Sequence, residues 1–238
     1  MSEKILTPCI HDDEFIRGEV PMTKEEIRMI VLCKLKLCAD SCLLDIGSGT
    51  GSVAVEAARL SDKIKVFAVE QNAAAVELIK QNCTKFKTEN VEVIHAAAPD
   101  ALNGLAPATH AFIGGTDGKL KEILQALYKL NPEMRVVMTA VSLETIGAMQ
   151  AALKDFAVTD DETVQVSVAK AKKPEATICF LRTILFLSFL SRLRSYEHGN
   201  TENTPDFVER TEKRQRQNLD FNCTDERIRR SRQKGFGF

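Results

Sequence analysis

The chain has 238 residues, 44% of them hydrophobic and 27% charged, proportions of an ordinary globular protein that exclude a fibrous or wholly disordered one. The length lies between one and two average domains. Formal net charge is −1, from 32 Lys and Arg against 33 Asp and Glu, which points away from a nucleic-acid partner or an anionic membrane surface.

Residues 1–22 read as an extended arm. Thr23-Lys24-Glu25-Glu26 fits a capping box, with the Thr23 hydroxyl accepting from the Glu26 amide. Ile27, Ile30, Val31 and Leu35 follow at helical spacing, so a helix is expected over 24–37. Strands and helices then alternate: a strand over 42–46, a Gly-rich turn and a helix over 53–60, a strand over 66–69, and a helix capped by Asn72. A third strand is expected over 91–94, a short helix after Pro99, a fourth strand over 111–113, and a helix over 120–130. A fifth strand begins at Val136, a helix follows over 143–156, and a sixth strand over 163–168. Short apolar strands separated by helices predict an α/β fold, a mostly parallel, doubly wound sheet covered on both faces.

The first fifteen residues lack the positive-then-apolar pattern of a secretory signal. The most apolar stretch, residues 183–191, is far shorter than the roughly 20 residues of a membrane span. Together these predict a cytoplasmic protein without a membrane segment. Cys33, Cys38 and Cys42 cluster, but no His lies nearby; the seven cysteines are read as reduced, buried thiols rather than metal ligands.

Composition breaks near residue 174. Residues 1–173 hold 16 Lys and 4 Arg, and residues 174–238 hold 2 Lys and 10 Arg; Ala falls from 23 to one. Net charge is −4 before the break and +3 after it. The expected division is an arm over 1–22, a main domain over 23–173, and an atypical tail over 174–238.

The chemistry concentrates at Asp45-Ile46-Gly47-Ser48-Gly49-Thr50-Gly51, the junction of the first strand and its helix. Ligands of open α/β sheets bind beyond the carboxyl ends of the strands, and glycine permits close backbone approach there. The second strand ends in Glu70, whose carboxylate can accept both hydroxyls of a ribose. A dinucleotide site uses G-x-G-x-x-G, but the position of its third glycine is Ser52 here, and the glycines are spaced G-x-G-x-G behind Asp45. That arrangement resembles motif I and the acidic loop of class I S-adenosylmethionine-dependent methyltransferases, with Rossmann-like fold. A dinucleotide site and a turn without a ligand remain as alternatives.

Three further segments narrow the resemblance: Phe15-Ile16-Arg17-Gly18-Glu19-Val20-Pro21-Met22-Thr23-Lys24, then Phe112-Ile113-Gly114-Gly115 with Gly118, then Ala140-Val141-Ser142-Leu143-Glu144. Over residues 10–173 the chain resembles the decarboxylating precorrin/cobalt-precorrin (C15) methyltransferases of cobalamin biosynthesis. The resemblance implies methylation of C15 of a corrinoid precursor, decarboxylation of its C12 acetate, and a homotetramer. It implies S-adenosylmethionine held by Thr23, Asp45, Gly47, Ser48, Gly49, Gly51, Glu70, Gln71, Ala97 and Ala98, and a carboxylate-rich substrate met by Arg17, Lys24, Gly114 and Gly115. No nucleophile is required, and no metal is implied.

The chain departs from the family at His95-Ala96-Ala97-Ala98-Pro99. Ala97 stands where relatives carry an Asp that accepts from the adenine amino group, and Thr139 stands where many carry Asn. His11, beside Asp12 and Asp13, is read as solvated, and His95 and His110 as structural. A methyltransferase acting on tRNA or protein, and an inactive cofactor-binding remnant, are the rival readings. For the tail, three accounts are open: a reading-frame change near codon 174, a lineage-specific extension, or an RNA-binding tail carrying Arg227, Arg229, Arg230, Arg232 and Lys234. On the first account, residues 178–190 must either stand in for the family's last strand or leave a sheet edge open; disorder is expected over 200–238.

Overall fold

The computed structural model describes residues 9–158, 162–172, 179–190 and 193–195, all within the unit Met1–Tyr196. The expected disorder over 200–238 and the arginine cluster lie outside the described residues. In chain order the elements are α1 (Glu25–Leu35), β1 (Cys42–Ile46), α2 (Ser52–Leu60), β2 (Lys65–Glu70), α3 (Ala73–Phe86), β3 (Val91–His95), β4 (His110–Ile113), α4 (Leu120–Leu130), β5 (Arg135–Ala140), α5 (Leu143–Leu153), β6 (Phe156–Val158), β7 (Glu162–Lys172), β8 (Cys179–Leu190) and β9 (Leu193–Ser195).

Seven strands form one sheet in the order β3-β2-β1-β4-β5-β8-β7. β1 to β5 are mutually parallel, with Leu44 opposite both Phe67 and Ala111. β8 runs antiparallel to β5 on one side and to β7 on the other. Of the two expectations for residues 178–190, the backbone pairing gives the strand. The order reverses between β1 and β4, so their loops diverge there and leave a crevice at the carboxyl ends.

Alternation along the strands explains why both faces are covered. Leu44, Ile46, Phe67, Val69, Ile113, Val136 and Met138 pack against α4 and α5 residues such as Ile123, Leu127 and Met149. Their neighbours Leu43, Val66, Ala68, Phe112 and Val137 pack against Ile27, Val31, Val53, Ala57 and Ile79 of α1 to α3. Strands apolar on both faces are what a parallel sheet between two helical layers requires.

Some local expectations are corrected. The capping box at Thr23 does not form: Lys24 is the N-cap of α1, with no side-chain cap bond, because Thr23 presents its carbonyl to Arg28 Nη1 at 2.6 Å. α5 stops at Leu153 rather than at 156, and Phe156–Val158 instead pairs antiparallel with Leu193–Ser195. The segment after Pro99 is a single 3-10 turn, Asp100–Leu102. Cys9, Cys33 and Cys38 are exposed rather than buried, since they sit on the arm, an outer helix face and a loop. The cap expected at Asn72 forms, with its side chain accepting from the Ala74 and Ala75 amides. Among the described residues no helix is long and apolar enough to cross a membrane.

Candidate active site

The carboxyl ends of β1 to β5 open into a cavity of about 650 Å³, within the usual range of small-molecule sites. Gly47, Ser48 and Gly49 follow β1, Glu70 and Gln71 follow β2, and Ala96, Ala97 and Ala98 follow β3. Gly114, Gly115 and Thr116 enter from the β4 loop, and Thr139 and Val141 from β5. Val20 to Lys24 of the arm form the remaining wall. Val141 is 77% exposed, an apolar side chain left at the mouth.

The glycine spacing has a reason beyond ligand access. Gly47 has φ +70°, and a Cβ there would lie 2.8 Å from Gly115 N and O. Gly49 has φ +59°, and its Cβ would lie 2.9 Å from Pro21 O. The loop is therefore clasped by the β4 loop on one side and the arm on the other.

Glu70 is 9% exposed. Its Oε2 accepts from Gly49 N at 2.9 Å and its Oε1 from Asn72 N at 2.9 Å. Each oxygen keeps a second lone-pair direction, so the carboxylate is fixed in place and can still accept. Asp45 lies behind the loop, fully buried. Its Oδ2 accepts from Ser48 Oγ at 2.7 Å and Ala54 N at 3.1 Å, while Oδ1 has no partner. Burial pushes the Asp45 carboxyl up to about 7, against the pull of those two bonds and with a further push from Glu70.

Thr23, Gly47, Ser48, Gly49, Glu70, Gln71, Ala97 and Ala98 thus share one cavity with Lys24, Gly114 and Gly115. Asp45 stands behind its wall, and Gly51 packs on Ile79 of α3. Arg17 is elsewhere: it lines an adjoining cavity of about 400 Å³ with Asp12, Asp13, Glu25 and Glu26. Lys24 borders both cavities and lies 3.7 Å from Asp12. His11 pairs with Glu25 at 3.2 Å in the acidic cavity, where Lys170 also binds Glu25 and Glu26 at 2.9 and 2.7 Å. The Lys170 hydrogen bond does most to hold the Glu25 carboxyl down at about 2.

Among the buried polar side chains that the sequence pattern does not announce, Arg28 and Asn82 hold the arm. Arg28 is fully buried; its Nε donates to Glu56 Oε1 at 2.9 Å and its Nη1 to Asp12 at 2.7 Å. Its Nη2 donates to Ile10 O at 2.5 Å. Asn82 is also fully buried, bonded to Ile16 and to Thr50 O. The available signal was position: Asn82 occupies the slot between Ile79 and Phe86 where the inward helical period calls for hydrocarbon.

A parallel sheet with an antiparallel strand next to its end, a Gly-rich loop after β1 and an acid ending β2 place the molecule among Rossmann-like class I methyltransferases. The chain belongs to the precorrin methyltransferase family: the model for the precorrin methyltransferase domain matches residues 14–180. It is 43% identical over 169 residues to the probable cobalt-precorrin-6B C(15)-methyltransferase (decarboxylating) of Sulfurisphaera tokodaii, covering 70% of this chain and 88% of that protein. It is 38% identical over 160 residues to the cobalt-precorrin-6B C(15)-methyltransferase (decarboxylating) of Salmonella typhimurium, covering 66% and 82%. The crystal structure of precorrin-6y C5,15-methyltransferase from Geobacter metallireducens superposes with a TM-score of 0.71 at 34% identity, over 77% of this chain and 97% of that one. That share exceeds what residues 1–173 supply, so the likeness continues past the composition break.

Proposed function

We propose that the chain transfers a methyl group from S-adenosylmethionine to C15 of a corrinoid precursor and releases the carboxyl of the C12 acetate as carbon dioxide. The observation that carries this is the cavity shared by the glycine loop, Glu70 and the Val20–Lys24 segment of the arm, on a chain 43% identical to a named C(15)-methyltransferase.

The residues present fit the cofactor. Asp45, buried behind the loop with Oδ1 unpartnered, would face an ammonium group, whose positive charge would favour the ionised carboxylate over the protonated form that burial promotes. Glu70 keeps acceptor capacity for ribose hydroxyls. Gly47, Ser48, Gly49 and Thr23 would hold the amino-acid end, Gly51 would set the loop against α3, and Gln71, Ala97 and Ala98 would border the base. When bound, the cofactor supplies an electrophilic methyl group, and displacement at that carbon breaks its bond to sulfur as the new carbon–carbon bond forms. The protein's part is to align donor and acceptor, where most of the advantage of such a site lies. Lys24 faces the carboxylates of the substrate, the Gly114-Gly115 backbone borders the ring, and Arg17 would reach the substrate from the adjoining cavity. Loss of the acetate carboxyl leaves a methylene carbon that takes up a proton from water.

Mixing the protein with S-adenosylmethionine and the corrinoid precursor, with and without cobalt, and following product mass tests the reading. One methyl gained and one carbon dioxide lost is the expected result; a product mass showing no change of either kind refutes the reading. Ala97 favours one second reading, an inactive remnant, in which S-adenosylhomocysteine binds without turnover. The family resemblance alone supports a homotetramer, which sedimentation at micromolar concentration tests, and the lack of a signal pattern in the first fifteen residues supports a cytoplasmic location.

A further inference from the structure

We propose that Asn82 is a positioning residue for cofactor binding: it ties the arm to the glycine loop and so fixes the wall of the active-site cavity. The proposal rests on the reading of that cavity as the cofactor site. The arm from Ile10 to Lys24 contains one 3-10 turn, Asp12–Glu14, and no further helix or strand, so its backbone groups must find other partners. At its ends Arg28 takes the carbonyls of Ile10 and Thr23 and the Asp12 carboxylate. In its middle, Asn82 Oδ1 accepts from Ile16 N at 2.8 Å and Nδ2 donates to Ile16 O at 3.1 Å.

The second Nδ2 hydrogen goes to Thr50 O at 2.9 Å, between Gly49 and Gly51. One amide thereby uses both donors and its acceptor to join two segments that meet at the cavity. The contact of Gly49 with Pro21 lies just beyond this junction. Gly18 and Leu78 add a tight apolar contact on the same side: a Cβ on Gly18 would lie 3.2 Å from Leu78 Cδ1. A buried amide at an inward helix position adds little hydrophobic packing, so its contribution is orientation. Without it, the arm and loop would have to be ordered at the moment of binding, and the apparent affinity would fall by the fraction of time they are aligned.

The test uses the full chain with Asn82→Asp, which keeps the acceptor but loses both donors, and Asn82→Ala, which loses all three bonds. Isothermal titration with S-adenosylhomocysteine and steady-state kinetics are run well below the melting temperature. Both variants should raise the cofactor Kd and KM by about tenfold or more. The corrinoid KM should rise as well, since Ile16 adjoins Arg17 on the arm, whereas kcat at saturating cofactor and substrate should stay near wild type. Amide exchange at Ile16 should accelerate in Asn82→Ala while the strands keep their protection. A lower melting temperature with unchanged cofactor Kd and KM overturns the proposal and leaves Asn82 as a stabilising residue. If Asn82→Ala does not fold, Asn82→Asp and Asn82→Ser carry the same measurements. If the wild type fails to bind S-adenosylhomocysteine, the reading of the cavity falls; Ile16 exchange then decides separately, and equal rates in wild type and variants overturn the tie itself.

Discussion

Replacing Asp45 with asparagine should make the protein more stable at alkaline pH and no more stable in acid. The carboxyl titrates at about 7 in the fold, raised by burial above its ordinary value of 3.8. Between those values the native state holds a proton that the unfolded chain has released, so stability falls as pH rises. The loss is steepest at roughly 1.4 kcal/mol per pH unit and complete above about pH 7, for a total of about 4 kcal/mol. The Asp45→Asn side chain would keep an oxygen for Ser48 Oγ and Ala54 N and would not titrate. Its amide nitrogen would occupy the place of Oδ1, which has no partner, and an orphaned donor costs about 1–3 kcal/mol at every pH. Urea unfolding of both proteins at pH 4 and pH 8 isolates the effect, because other titrating groups cancel in the difference. The variant should be equal or weaker at pH 4 and gain several kcal/mol relative to wild type by pH 8. A difference that stays flat across that range refutes the argument. The gain should come with weaker binding of S-adenosylhomocysteine, since the negative charge behind the loop is gone.

Ala97→Asp places an acceptor at the base end of the cavity and should tighten S-adenosylhomocysteine binding by roughly twofold to tenfold, the worth of one hydrogen bond; calorimetry showing no gain would mean that position does not meet the adenine. Gly47→Ala should lose binding and at least about 1–2 kcal/mol of stability from its left-handed backbone alone, before the 2.8 Å approach to Gly115; wild-type stability in urea would contradict the geometry. Arg28→Met should cost about 3–5 kcal/mol by leaving Glu56 buried and unpaired, which lowers the melting temperature by roughly 10 °C for a domain of this size. The Arg28→Met, Glu56→Met double variant should recover part of that loss, and a double variant worse than the single one would show that packing, not charge, governs the pair.

The strands were legible because apolar runs such as Val66-Phe67-Ala68-Val69 are buried on both sides, leaving little ambiguity with an exposed helix. The glycine loop and Glu70 were legible because local spacing alone puts them at a strand end. Arg17 was not: it lies a few residues from Lys24 in sequence, yet the turn of the arm carries it into the neighbouring acidic cavity. The cap of α1 was misplaced because Arg28, one turn into the helix, claims the Thr23 carbonyl, a contact no propensity reports. Asn82 and Arg28 depend on partners 66 and 18 residues away; their sequence signature was a polar residue at an inward position, visible only once the face is known. The break in composition near residue 174 is real in the sequence, but it does not mark the end of the sheet, since Cys179–Leu190 pairs with β5 and β7.

The clasp around the glycine loop bears on how such motifs age. Gly47 is confined by Gly115 and Gly49 by Pro21, so mutation at either position is opposed by collisions within the protein before any ligand enters. A lineage that had lost its cofactor would still be under pressure to keep these glycines, for as long as it kept the fold. Their persistence in a gene is therefore a record of packing, as in part is that of Glu70, which holds the Gly49 and Asn72 amides; position 97, whose side chain borders the cavity without such a tie, is the place where decay of the activity would first be written.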